Sequence, residues 1–217
     1  MHLKREQAPK SWPVPRKGTT YLVSPKSNMS TGIPLLIVIR DIIKLAQNRK
    51  EVKKALNEKQ ILLNGNNVTD ERIGLALFDI ITIVPEKKNY QIVLNRNKFD
   101  AKEIKETESK HKIAKIINKK TLKGKKTQLN LSDGRNFISD INCKVNDSAL
   151  INLKDKKIEK CIPLKEKANV TVIDGKHIGE SGIIEKIDAK NKMIEIINED
   201  KKKINVLIKH IIITNER

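Results

Sequence analysis

The sequence is short of the signatures that enzymes carry. Its 217 residues contain no G-x-x-x-x-G-K-S/T phosphate loop, no G-x-G-x-x-G turn, no H-E-x-x-H helix and no G-x-S-x-G elbow. His2, His111, His177 and His210 are too widely spaced to suggest a general base, and Asp133 falls in an Asp-Gly turn dipeptide. No catalytic residue, cofactor or small-molecule substrate is expected. Cysteine is equally scarce. Cys143 and Cys161 are the only two, far apart, which gives neither a disulfide framework nor the closely spaced ligand pairs of a zinc site. They read as free thiols, with no metal. No run of about 18 apolar residues exists, so no membrane span is expected. The residues after His2, Lys4, Arg5 and Glu6 lack the apolar block of a secretory signal, which points to a cytoplasmic protein.

What the chain has in excess is positive charge. It carries 45 Lys and Arg against 26 Asp and Glu, a formal net charge of +19, with a pI near 9.9. That balance suits a polyanionic partner and says nothing directly about fold. The excess is uneven: 6 basic against 1 acidic residue in residues 1–34, and 20 against 9 in residues 88–165, while 35–87 (9 against 7) and 166–217 (10 against 9) are close to balance. With about one and a half times the usual domain length, several small modules are expected rather than one large core.

Residues 1–34 hold five of the seven prolines and no sustained apolar periodicity, which predicts an extended basic arm. Lys4, Arg5, Lys10, Arg16, Lys17 and Lys26 are interleaved with Trp12 and Tyr21, a mix that can neutralise phosphates while a ring stacks on a base or plugs a crevice. The arm is expected to order on its partner. Pro34 suits a first helical position, and Leu35, Ile39, Ile42 and Ala46 then recur at helical spacing with Arg40, Asp41 and Lys44 opposite. A second helix is predicted over residues 49–57, with Val52, Ala55 and Leu56 on one side and Arg49, Lys50, Lys53 and Lys54 largely on the other. Residues 61–63, the Asn64-Gly65 turn and Val68 predict a hairpin, and residues 80–84 a further β run.

Residues 88–165 contain short β-like runs at 91–94, 128–131, 136–138 and 149–153. Between them, Lys110, Lys112, Lys115, Lys119, Lys120, Lys123, Lys125 and Lys126 fall in one stretch with His111 and no acidic residue. Solvated faces usually mix signs, so this run is expected to track a phosphate backbone while Ile113, Ile116 and Ile117 anchor its first half. Residues 166–217 alternate in short apolar runs punctuated by Gly175, Gly179 and Gly182, the pattern of a small barrel.

Asn48-Arg49-Lys50-Glu51-Val52-Lys53-Lys54, Ile61-Leu62-Leu63-Asn64-Gly65 and Phe78-Asp79-Ile80-Ile81 resemble the S-four RNA-binding domain, and the glycine-rich C-terminal stretch is similar to the KOW motif. The order of parts resembles the S-four-e family of small-subunit ribosomal proteins. The matching pieces are His2-Leu3-Lys4-Arg5, Ala8-Pro9-Lys10 with Trp12, Ser30-Thr31-Gly32, Pro34-Leu35-Leu36-Ile37 with Arg40, Lys125 through Arg135, and Val145-Asn146-Asp147-Ser148. The brevity after Ile213 looks more archaeal than eukaryotic. The resemblance implies an α+β multidomain chain. It would comprise the arm at 1–34, an αα-hairpin-β S-four domain at 35–87, a central β-rich domain at 88–165 and an SH3-like KOW barrel at 166–217. It also implies a non-catalytic constituent of the small ribosomal subunit, with ribosomal RNA and neighbouring ribosomal proteins as partners. The rival readings are a KOW-containing translation or transcription factor that binds RNA transiently and, further off, an RNA-modifying enzyme.

Overall fold

Residues 3–22 fold back on themselves, β1 (Leu3–Lys4) pairing antiparallel with β2 (Tyr21–Leu22). The loop between them is tied by Arg5, whose guanidinium donates to the carbonyls of Thr19 and Pro15, both at 2.6 Å, and to the Thr19 hydroxyl at 2.8 Å. Trp12 is only 3% exposed, and its indole N–H donates to the Gly32 carbonyl at 3.0 Å. This is not an extended arm. An indole ring removes about 150–250 Å² from water, enough to order a segment that has no periodic apolar pattern. The computed structural model describes residues 2–139, 141–188, 190–198 and 202–215, and the chain divides into two compact units, Met1–Lys110 and His111–Arg217.

In the first unit, β3 (Ile33–Pro34) leads into α1 (Leu35–Ile37), which continues as a π-helical turn over Val38–Ile42. Pro34 is the N-cap with extended backbone rather than the first helical residue. The expected helix to Ala46 stops early. Ile37, Val38, Ile39, Ile42 and Ile43 form a β-branched run with poor helix propensity. The backbone widens so that Ile43 N–H bonds Val38 C=O at 2.9 Å, and Lys44 at φ 61° ends it. The helix α2 (Arg49–Asn57) starts at a capping box, where Glu51 accepts from the backbone N–H of Asn48 and of Gln47, at 3.3 and 2.7 Å. The rest is β4 (Ile61–Leu63), β5 (Asn66–Asn67), β6 (Gly74–Leu75), β7 (Ile80–Ile83), β8 (Lys88–Asn95) and β9 (Lys98–Ile104). Five of these strands form an antiparallel sheet in the order β5-β4-β7-β8-β9, and β3 pairs with β6. One apolar cluster takes in Leu3, Trp12, Leu36, Val52, Leu56, Ile81 and Phe99.

The second unit opens with β10 (His111–Thr121), then β11 (Thr127–Leu131), β12 (Asn136–Ile138), β13 (Ser148–Asn152) and β14 (Lys157–Ile162), in the sheet order β12-β11-β10-β13-β14. The first half of β10 pairs with β13 and the second half with β11, with a register shift at the exposed Ile117. Then come β15 (Asn169–Val172), β16 (Ser181–Asp188), β17 (Met193–Asn198), β18 (Lys203–Leu207) and β19 (Ile211–Asn215), ordered β18-β17-β16-β15-β19. A Cβ on Gly182 would lie 2.4 Å from the Ile197 carbonyl oxygen, so the close approach of β16 to β17 requires glycine there.

The expected α+β architecture is thus overturned. The chain is mostly β, arranged in several antiparallel sheets. Only α2 exceeds five residues among the described helical segments, so no αα-hairpin domain stands on two full helices. In the C-terminal stretch, expected as an SH3-like barrel, five strands pair antiparallel in the order β18-β17-β16-β15-β19.

Candidate nucleic-acid interface

Among the described residues, a cluster of exposed cations lies at the tip of the β10–β11 hairpin. Lys119 and Lys120 face Leu129 and Gln128 across the ladder, Leu122 N–H closes the turn on Lys126 C=O at 2.8 Å, and Gly124 supplies the φ of 78° that the turn requires. Lys120, Lys123 and Lys126 are exposed, and no described residue holds them in an ion pair. Lys119 is partly engaged, donating to the Cys143 carbonyl at 3.2 Å. The Lys125 side chain lies outside the described residues. The tip carries no acidic residue. The same sheet continues it with polar side chains that sequence reading missed: Asn118, Asn130 and Asn136 share one cross-strand row, and Lys120 and Gln128 lie in the next, which ends at the exposed Ile138. Amide side chains both donate and accept, as contacts to 2′-hydroxyls and base edges require. Only the strand register reveals that they are co-facial.

Two lysines of the same run are buried instead. Lys112 is 1% exposed and bonds the Asp133 carboxylate at 2.7 Å. Burial opposes ionisation of Asp133, but the Lys112 ammonium, with the Arg135 N–H, still holds its carboxyl below the usual range. Lys115 is 3% exposed and donates to the carbonyls of Ile208 and Ile211 at 2.5 and 2.9 Å, fastening β10 to the last strand. Neither can meet phosphate as the sequence suggested. Their burial depends on partners 21 and more than 90 residues away, which no local pattern shows.

Lys115 also makes stability depend on pH. Burial pushes its ammonium down from 10.5 to about 8. Below pH 8 both folded and unfolded chains are protonated, and the fold bears the full cost of a buried charge. Between 8 and 10.5 the folded chain has released a proton that the unfolded chain keeps, so stability rises with pH. Denaturant titrations should show wild type gaining on the order of 3 kcal/mol relative to Lys115→Met between pH 7 and pH 10.5. A difference independent of pH would show that Lys115 titrates normally.

In the first unit, α2 sorts its four cations into two stripes. Arg49 and Lys53 turn to Glu71, which is 3% exposed; Arg49 Nε donates to it at 2.6 Å, and Lys53 Nζ lies 3.8 Å away. Lys50 and Lys54 face solvent, with Glu58 3.8 Å from Lys54. Lys4, Lys10, Arg16 and Lys17 are exposed, Lys110 is half-buried, and Arg5 is committed to its own loop. Trp12 is a core residue and presents no ring to a base. Arg40 forks onto Asp41 with two bonds of 2.8 Å. Arg40 and Arg49 line a cleft of about 510 Å³ together with Arg72, Tyr21 and His2. Arg72 was not singled out by the sequence, since a lone arginine carries no pattern, and His2 entered only as part of the His2-Leu3-Lys4-Arg5 block.

Comparison with known proteins agrees with the resemblance. Residues 86–158 match ribosomal family S4e, and residues 1–27 match the RS4NT (NUC023) domain. Small ribosomal subunit protein eS4 of Methanocella arvoryzae is 36% identical over 190 residues, covering 86% of this chain and 80% of that protein. The protein of that name from Methanosphaera stadtmanae is 37% identical, with 86% and 79% covered. The crystal structure of the 30S ribosomal protein S4e from Thermoplasma acidophilum shares the fold, with a TM-score of 0.73 over 85% of this chain and 95% of that one, at 24% identity. By its likeness to these eS4 proteins along most of its length, the chain belongs to ribosomal family S4e.

Proposed function

We propose that the chain is a structural, non-catalytic constituent of the small ribosomal subunit in the cytoplasm, binding ribosomal RNA and supporting subunit assembly and translation. The observation that carries the RNA reading is the β10–β11 tip, where Lys120, Lys123 and Lys126 stand exposed with no acidic neighbour in the turn. The exposed Lys50 and Lys54 on α2, and Lys4, Lys10, Arg16 and Lys17 near the N-terminus, add further phosphate contacts. The C-terminal sheet, in a segment with 10 basic against 9 acidic residues, suits contact with neighbouring ribosomal proteins better than with RNA. Separate basic surfaces that grip different RNA helices fix the helices relative to one another, since each added contact acts at high effective concentration.

The test is a salt titration of the purified chain with small-subunit ribosomal RNA. With six to ten phosphates contacted, affinity should fall by about 10³-fold or more between 50 and 200 mM salt. A nearly flat titration would refute the reading. Co-sedimentation with small subunits through a high-salt wash separates a stable constituent from a transient factor, which would be stripped off.

A further inference from the structure

We propose that the cleft beside β2 is a binding site for one unstacked nucleotide of a single-stranded RNA segment, an inference that rests on the RNA-binding reading above. Three guanidinium groups, Arg40, Arg49 and Arg72, converge on this cleft, and no carboxylate is among its lining residues. Each is anchored through one edge. Arg40 uses Nε and Nη2 on Asp41, Arg49 uses Nε and Nη2 on Glu71, and Arg72 uses Nε on the Ser24 carbonyl at 3.2 Å. The anchoring carboxylate of Arg49 is itself buried and does not line the cleft. The opposite edges, Nη1 of Arg40 and Arg49 and both terminal nitrogens of Arg72, have no partner among the described residues. Forks held in this way have little rotamer entropy left to lose when they bind a phosphate.

The other wall fits a base. Tyr21 is 56% exposed, and its ring lies 5.4 Å from that of His2, tilted by 48°. Leu22, Val23 and Leu36 give the cleft an apolar floor. A flat π-face, an apolar floor and free guanidinium edges together match a nucleotide whose base has left its helix. A phosphate on a continuous duplex offers the ring and the floor nothing. A protein partner would need an acidic group beside an aromatic one.

The full chain should be titrated with a short single-stranded RNA carrying 2-aminopurine and, separately, with a blunt RNA duplex of the same length. Tyr21→Ala should weaken binding of the single strand about tenfold or more and remove the 2-aminopurine quenching, while duplex affinity stays within about twofold. Tyr21→Phe should keep both affinity and quenching, and Arg72→Gln should lower affinity without abolishing the quenching at saturation. Unchanged Trp12 emission certifies that the variants are folded. Single-strand affinity indifferent to Tyr21→Ala, or equal losses for strand and duplex, would overturn the cleft assignment while leaving RNA binding intact. Failure of wild type to bind either RNA would overturn the RNA reading and the cleft with it. Loss of a co-purifying protein from Tyr21→Ala, with RNA binding untouched, would assign the cleft to that protein instead.

Discussion

Replacing Lys120, Lys123 and Lys126 together by Glu should lower affinity for small-subunit ribosomal RNA about a hundredfold or more at 150 mM salt. The tip presents these three ammonium groups to solvent without partners among the described residues, so none of these competes with phosphate for them. Each phosphate neutralised contributes about 0.9 to the slope of log affinity against log salt on a duplex. Three lost contacts should therefore flatten that slope by nearly three, and the introduced carboxylates add repulsion. The control is the same reversal at Lys167, Lys176 and Lys209, which are exposed on the near-neutral C-terminal part and change net charge equally. Equal losses from the two triple variants would mean that the polyanion responds to total charge alone. Thermal stability should be unchanged in both, because exposed lysines in such positions contribute little to folding.

The second large effect is on stability. Trp12→Ala should destabilise the first unit by about 3–5 kcal/mol, the usual cost of emptying a large buried aromatic site, read from urea titration. Trp12→Phe should recover most of this but still lose the bond to Gly32, a net of about 1 kcal/mol. The variant should also turn the neighbouring loop into a protease target. In wild type, trypsin should cut slowly at Lys10, which lies in the loop that Arg5 ties, two residues before the buried Trp12. In Trp12→Ala the same bond should be cut rapidly. Rapid cleavage of the wild-type chain there would return these residues to the status of a free arm.

The contrast between the two regions shows what a sequence can and cannot disclose. The lysine tip was legible because its signal is local: a run without acidic residues next to a turn. The bounds of α2 were legible for the same reason, since Asn48 and Glu51 cap it and Val52 and Leu56 mark its buried side. Trp12 was not legible. Prolines and missing periodicity describe its neighbours, while its burial is decided by Gly32 and by the strand that brings Phe99 to Ser11. Lys112 and Lys115 look like the other lysines of their run, and only pairing with Asp133 and the carbonyls at Ile208 and Ile211 separates them. The first helix was read too long because apolar spacing was weighed and the β-branched run was not. The strand β9, with Lys98, Asp100, Lys102 and Glu103, hides behind its charges, and with it went part of the expected balance between helix and sheet.

The order in which the ribosome makes this chain meets one feature of the second unit. The first strand of its last sheet, β15, is hydrogen-bonded to β16 on one side and to β19 on the other, and Ile213 N–H reaches across to the Ser148 hydroxyl at 2.9 Å. Strands β15 to β18 can pair as they emerge, but one edge of β15 and the Lys115 ammonium wait for residues 208–213. Until these clear the exit tunnel, a strand edge and a buried-type cation stay exposed together. The nascent second unit thus gains its last strand, and the carbonyls that take up the Lys115 ammonium, only after all its other strands have been made.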